Sequence, residues 1–89
     1  MPKRADANQA SIIEVLRQCG ATVADLHALG HGIPDLCVGW QGQNILIEVK
    51  AGRGTLTPDE ARFHAEWRGQ VCVIRDVDDA LKLLDTVSA

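Results

Sequence analysis

Three side chains in this sequence have the types and spacing for metal-assisted phosphate chemistry: Asp35, Glu48 and Lys50. Asp35 closes the stretch Gly32-Ile33-Pro34-Asp35, and Glu48 and Lys50 flank Val49 in the apolar run Asn44-Ile45-Leu46-Ile47-Glu48-Val49-Lys50. A hard divalent cation held on carboxylate oxygens can supply a nucleophilic water, relieve charge at phosphorus and stabilise a leaving oxygen. Oxygen ligands suit Mg2+ or Mn2+. The ammonium has three open roles: to position the water, to take a proton from it, or to balance charge on a pentacovalent phosphorus. A lysine beside a metal has reason to show a lowered pKa.

The elements around these residues must bring them to one side of a sheet. Residues 44–50 read as a strand, with branched apolar residues, a turn before and a Gly-rich loop after. Alternation puts Ile45, Ile47 and Val49 on one face and Leu46, Glu48 and Lys50 on the other. Glu48 and Lys50 are then same-face neighbours about 7 Å apart. The preceding strand, Asp35 to Trp40, turns at Gln41-Gly42-Gln43-Asn44. Pairing Trp40 with Ile45 sets Cys37 opposite Glu48 and Asp35 opposite Lys50. A slip of one residue would send Asp35 to the other face, so the hairpin needs a loop of two or four residues. The plainer alternative makes Asp35 a turn residue after Pro34, and Glu48 and Lys50 a solvent-facing pair on an edge strand. The three together, each bracketed by apolar positions, favour a site.

Elsewhere the pattern is regular. A helix runs from Asp6 to about Cys19, with Ile12, Ile13 and Leu16 as its inner stripe and Gln9 one turn earlier. Asp6-Ala7-Asn8-Gln9 fits a capping box, and Gly20 ends the helix. Thr22 to His27 reads as a strand and residues 28–33 as a loop. After the hairpin, residues 51–56 form a loop tipped by Arg53. Thr57-Pro58-Asp59-Glu60 is a second capping box with Pro at the first helical position. This helix runs to about Arg68 before Gly69. Gln70 to Arg75 is a strand whose apolar run suits an interior position. Asp76 caps a last helix with Val77, Ala80, Leu81, Leu84 and Val87 as its buried stripe. The segment from Ile45 to Ile74 is expected to form a right-handed parallel crossover.

Pro34-Asp35 followed by Glu48-Val49-Lys50 is the pattern of PD-(D/E)xK nucleases. With Gly-Ile-Pro-Asp-Leu at 32–36, Leu56-Thr57-Pro58 and Phe63-His64 in order, the chain resembles the small stand-alone VRR-NUC domains of phages, from about Asp6 to Leu84. The resemblance implies an α/β fold with a restriction-endonuclease-like core. Its element order is α-β-β-β-α-β-α, its mixed four-stranded sheet is flanked by helices, and it forms a single domain over residues 1–89. It implies a Mg2+- or Mn2+-dependent deoxyribonuclease, with Asp35, Glu48 and the Val49 backbone carbonyl as metal ligands and Lys50 as a catalytic residue. Related nucleases carry an acid on the first helix; counting back from Gly20, that position holds Gln9. Its amide oxygen can ligate a hard cation, but more weakly, and Gln9 is equally explained as part of a capping box. Glu14 lies about 140° around the helix from Gln9, and pairing with Arg17 or Gln18 suits it better. Related domains often carry Gln where this chain has Glu60, which its capping box already explains. His64, one turn on, is expected to pack within the helix.

The implied activity is structure-selective cleavage of branched (Holliday-junction) or flap DNA by a homodimer, in the cytoplasm of a bacterial or phage-infected host cell. Candidate DNA contacts are Arg53, His31, Lys3 and Arg4, with Arg62, Arg68 and Arg75 behind them. For His31, phosphate contact and simple exposure stay equally open. No base-reading motif is present, so backbone contacts should dominate. The alternative is a non-catalytic module of nuclease fold that binds DNA or a replication or repair protein, which Gln9 and the net charge favour. A domain needing a partner subunit is a third reading.

Composition bounds these readings. The chain has 89 residues, enough for one small core, and a net charge of −3. That charge argues against nonspecific coating of nucleic acid but not against an acidic metal site. Cys19, Cys37 and Cys72 are odd in number and sit among apolar residues, as reduced core thiols do. With His27, His31 and His64 they show no zinc-site spacing. Met1-Pro2-Lys3-Arg4 leads into polar residues rather than a signal sequence. No apolar run is long enough for a membrane, and no small-molecule cofactor motif is present.

Overall fold

The computed structural model describes residues 4–88, and their side chains from residue 7 onward. The order is α1 (Arg4–Gln18), β1 (Thr22–Asp25), a 3-10 turn (His27–Leu29), β2 (Leu36–Trp40), β3 (Gln43–Val49), α2 (Pro58–Glu66), β4 (Gln70–Ile74) and α3 (Val77–Val87). One mixed sheet has the order β1-β2-β3-β4. β1–β2 and β2–β3 pair antiparallel, and β3–β4 pair parallel across the α2 crossover. This is the α-β-β-β-α-β-α architecture with a four-stranded mixed sheet flanked by helices.

The hairpin turns on two residues. Trp40 pairs with Gln43 and Leu36 with Ile47, so the Trp40–Ile45 pairing expected from sequence is off by two. Gln41 and Gly42 both have positive φ (49° and 77°), the type I′ geometry whose twist matches the flanking strands. A shift of two keeps parity, so every side chain stays on its expected face.

Leu36 and Val38 thus share a face with Ile45, Ile47 and Val49. Ile12 and Leu16 of α1 and Ala80 and Leu84 of α3 cover that face, and these residues with Ala21 and Ile74 form the buried core. Each fully buried Ile, Leu or Val contributes roughly 1.5–3 kcal/mol over its exposed state. The Trp40 indole N–H donates to the Leu84 carbonyl (3.2 Å) and the Ser88 hydroxyl (2.8 Å), and the Gln43 amide donates to the Val87 carbonyl (2.8 Å), pinning the end of α3 to the hairpin. The Asp76 side chain accepts from the Asp79 N–H (2.8 Å) and Asp79 from the Arg75 N–H (2.9 Å), which starts α3. The opposite face of the sheet lies under α2, which has no buried residue.

Several boundaries differ from the sequence reading. α1 is already helical at Arg4, so Asp6 lies within the helix rather than capping it. β1 ends at Asp25, where the 3-10 turn follows. α2 stops at Glu66, because Trp67 is extended and stacks on Phe63 (centroids 5.1 Å apart). β4 is an edge strand, not an interior one. Its continuous apolar run reflects cover on both faces: Ile74 and Cys72 face the core, and Val71 and Val73 are half-buried on the α2 side. Leu81 is exposed, and so is Cys19, which is therefore not a core thiol. No helix among the described residues is long and apolar enough to cross a membrane.

The loop before β2 packs on α2 at Gly32. Its φ is +78°, and a Cβ there would sit 2.6 Å from the Asp59 carbonyl oxygen. Gly42 has a similar φ but open space around it. Gly42→Ala should therefore cost about 1–2 kcal/mol from backbone strain alone. Gly32→Ala should cost distinctly more, about 3 kcal/mol or above, because backbone must move. Urea denaturation of the two variants checks the order.

Candidate active site

Asp35 stands one residue before β2, after the fully buried Pro34. Its carbonyl accepts from the Leu26 N–H (2.7 Å), extending the β1–β2 ladder. Its carboxylate Oδ2 accepts from the Val49 N–H at 2.8 Å, extending contact with β3. Continuing the register of Leu36 with Ile47 sets Asp35 opposite Glu48, with Cys37 opposite Leu46. The sequence reading had Asp35 opposite Lys50 and Cys37 opposite Glu48; the two-residue turn moves each pairing by two.

Glu48 is on an interior strand and only 2 % exposed. Its Oε1 is buried and has no hydrogen-bond partner. The solvent-facing edge pair offered as the plainer alternative is therefore not what the structure has. Burial pushes the Glu48 carboxyl up to about 9. The Asp35 carboxylate adds to this by hydrogen bond and charge, Glu60 adds by charge, and Lys50 opposes it. A buried acid with a specific charged neighbour is the environment in which functional groups are found.

Lys50 turns its ammonium to α2. Its Nζ lies 2.7 Å from Glu60 Oε1, and both side chains are only 18 % exposed. That same Oε1 accepts from the Thr57 N–H (2.8 Å), and Thr57 Oγ1 accepts from the Glu60 N–H (3.3 Å). The capping box read from the sequence is thus formed, and it also holds Lys50. Burial works to lower the Lys50 pKa, but the Glu60 hydrogen bond and charge outweigh it, with Glu48 and Asp35 adding to them. Lys50 is held above its ordinary value, the opposite of the lowered pKa expected beside a metal. For Glu60, burial acts upward, and the Lys50 and Thr57 hydrogen bonds outweigh it and hold the carboxyl below its usual value.

The remaining sequence candidates lie further out. Gln9 lines a depression with Ala10, Ile13, Asp25 and His27 and makes no hydrogen bond to Asp35 or Glu48. Glu14 accepts from Gln18 (3.4 Å), as expected. His31, with φ of 58°, lines a depression with Asp59, Arg62, Phe63 and Glu66 beside α2. Arg53 is exposed in the loop after Lys50. Arg75, read as a DNA contact, instead donates to the carbonyls of Gly52 (2.9 Å) and Gly54 (2.7 Å), bracing that loop. Lys3 and the Arg4 side chain lie outside the described residues. His64 has a buried Nε2 without a partner. Among the described residues, no three His, Cys, Asp or Glu side chains assemble into a metal-binding group.

Two contacts were missed from sequence. His27 Nδ1 lies 3.9 Å from Asp35 Oδ1, its backbone N–H held by Asp25 Oδ1 (2.9 Å). An antiparallel β1–β2 pairing carried past Asp25 would have brought the two residues together. The Lys50–Glu60 pair was hidden because the capping box gave Glu60 a sufficient local purpose.

No protein-family profile matches the sequence, and no curated protein matches it. A solved structure titled "VRR_NUC domain" does resemble the chain. It has a TM-score of 0.79 and 26 % identity, and the match covers 94 % of this chain and 97 % of that one. This chain has the VRR-NUC fold. The match covers nearly the whole of both chains, so the likeness is to an entire domain rather than to a fragment.

The buried Glu48 gives this domain a pH-dependent stability. Its folded pKa is raised from the ordinary carboxyl value of 4.5 to about 9. The unfolded chain therefore loses that proton first as pH rises, and the native state is penalised progressively from about pH 4.5 to 9. Without metal, Glu48→Gln should be more stable than the parent at pH 7, by about 1–3 kcal/mol. The gain should shrink toward zero near pH 4.5. Urea denaturation at several pH values reads this slope.

Proposed function

We propose that this VRR-NUC domain is a Mg2+- or Mn2+-dependent DNA endonuclease, acting as a homodimer on branched or flap DNA. The observation that carries the proposal is the buried Glu48 carboxyl, with one oxygen unpartnered, across from Asp35 on an interior strand. An orphaned buried oxygen is costly unless something meets it, and a hard divalent cation meets oxygen donors of this kind. Asp35 and Glu48 would hold it, with the Val49 carbonyl completing the inner set. Gln9, at the neighbouring depression, would contribute only from the rim. When bound, the cation supplies the activated water and the charge relief that phosphodiester hydrolysis needs. Asp35, tied to the Val49 N–H, keeps the two acids in register. Lys50, kept as an ammonium by Glu60, would balance charge on the phosphoryl group rather than accept a proton. Arg53, exposed beyond Lys50, would meet the phosphate backbone. A domain this small spans little of a branched substrate, and a second copy would bring a second site to the second strand.

Gln9 and the lack, among the described residues, of a three-residue metal-binding group favour a second reading, a nuclease-fold module that binds without cutting. Calorimetry separates the two: Mn2+ binding, with or without DNA, supports the nuclease, and none in either condition supports the module.

On flap and four-way-junction DNA with Mn2+, the parent should cut. Asp35→Asn and Glu48→Gln should each lower the rate by about 100-fold or more. Light scattering should give a dimer mass. Cutting by both variants at the parental rate would end the nuclease proposal.

A further inference from the structure

Lys50 is a residue of the proposed site whose charged partner comes from α2. Of the acids around it, its Nζ contacts Glu60 at 2.7 Å and forms no ion pair with Asp35 or Glu48. The ammonium is therefore paired with the helix acid rather than with either of the other two carboxylates.

The anchor is rigid by construction. Glu60 is the third residue of a capping box whose first helical residue is Pro58, and its Oε1 is already held by the Thr57 N–H. The negative carboxylate sits in the first turn of α2, where the helix dipole favours it. The lysine stem is bounded on the other side by the loop that follows it. A Cβ added at Gly54 would lie 3.7 and 3.8 Å from Lys50 Cβ and Cδ. Arg75 holds the carbonyl of Gly54 at 2.7 Å. A free lysine carries about 2 kcal/mol of rotamer entropy, and here both the head and the stem are restrained.

We propose that Glu60 is a positioning residue for Lys50: the capping box of α2 sets where the site's ammonium stands, leaving the Asp35–Glu48 side open to a cation. The role in catalysis rests on the nuclease function proposed above; the hold on Lys50 does not.

The discriminating variant is Glu60→Gln, because glutamine keeps the capping box and only the charged partner of Lys50 is lost. In Mn2+-dependent cleavage of flap DNA, it should lower kcat about tenfold with KM and melting temperature near those of the parent, since small misplacements of a reacting group are costly. In a Lys50→Gln background, the same change should have no further effect. A second readout needs no activity. Acylation by an amine-reactive ester, followed by peptide mass spectrometry, should label Lys50 more slowly than the exposed Lys82 in the parent, and at least fivefold faster in Glu60→Gln. Equal labelling of Lys50 in parent and variant, or an undiminished Glu60→Gln effect in the Lys50→Gln background, overturns the proposal. A labelling change with no cleavage by the parent sinks the nuclease function and leaves Glu60's hold on Lys50 standing.

Discussion

The hydrogen bond from the Val49 N–H to Asp35 Oδ2, at 2.8 Å, ties the start of β2 to the end of β3. It is available only in one parity of the hairpin. In that parity Leu36, Val38, Ile45 and Ile47 all face α1 and α3, and Asp35 and Glu48 face the other way. A slip of one residue would turn one strand over against the other, exposing its apolar side chains and burying its acid in their place. Core burial, worth several kcal/mol across these positions, therefore enforces the alignment of the two carboxylates. The site needs no separate device to bring its acids together.

The two faces of the sheet differ in how they are covered. One is closed by α1 and α3 around residues that are almost fully buried. The other, among the described helices, has the nine residues of α2, none of them buried. Glu48 lies on this second face and still reaches near-complete burial, with a buried oxygen left without a partner. A domain with so small a core gains nothing in stability from that arrangement. Where a chain keeps a costly polar group on an interior strand, the cost is usually tied to what the group does.

Much of this was legible in the sequence. Alternation along residues 44–50 gave the faces, and the capping box at Thr57 and the N-cap at Asp76 marked the two later helices. Register was less legible: a two-residue loop usually advertises Asn-Gly or Asp-Gly, and here Gln41 takes the positive φ instead. The edge position of β4 was hidden because cover on both faces gives an edge strand the same apolar run as an interior one. Long-range polar contacts were the least legible. Glu60 and Arg75 each had a plausible local role, a cap and a surface charge, while their observed partners lie across the fold at Lys50 and at the 51–54 loop.

Arg75 also changes how this domain can meet nucleic acid. With its guanidinium spent on the carbonyls of Gly52 and Gly54, it holds the loop carrying Arg53 rather than a phosphate. Arg62 lies 3.9 Å from Asp59, and Arg17 donates to the Val23 carbonyl. Among the described residues few arginines are left to neutralise a backbone, and the net charge is −3. Affinity built on counterion release scales with the number of phosphates neutralised, so each copy of the domain can draw little from that source. Recognition then falls to what the fold holds rigidly near its acids: a braced loop presenting one arginine, and a lysine restrained at both head and stem.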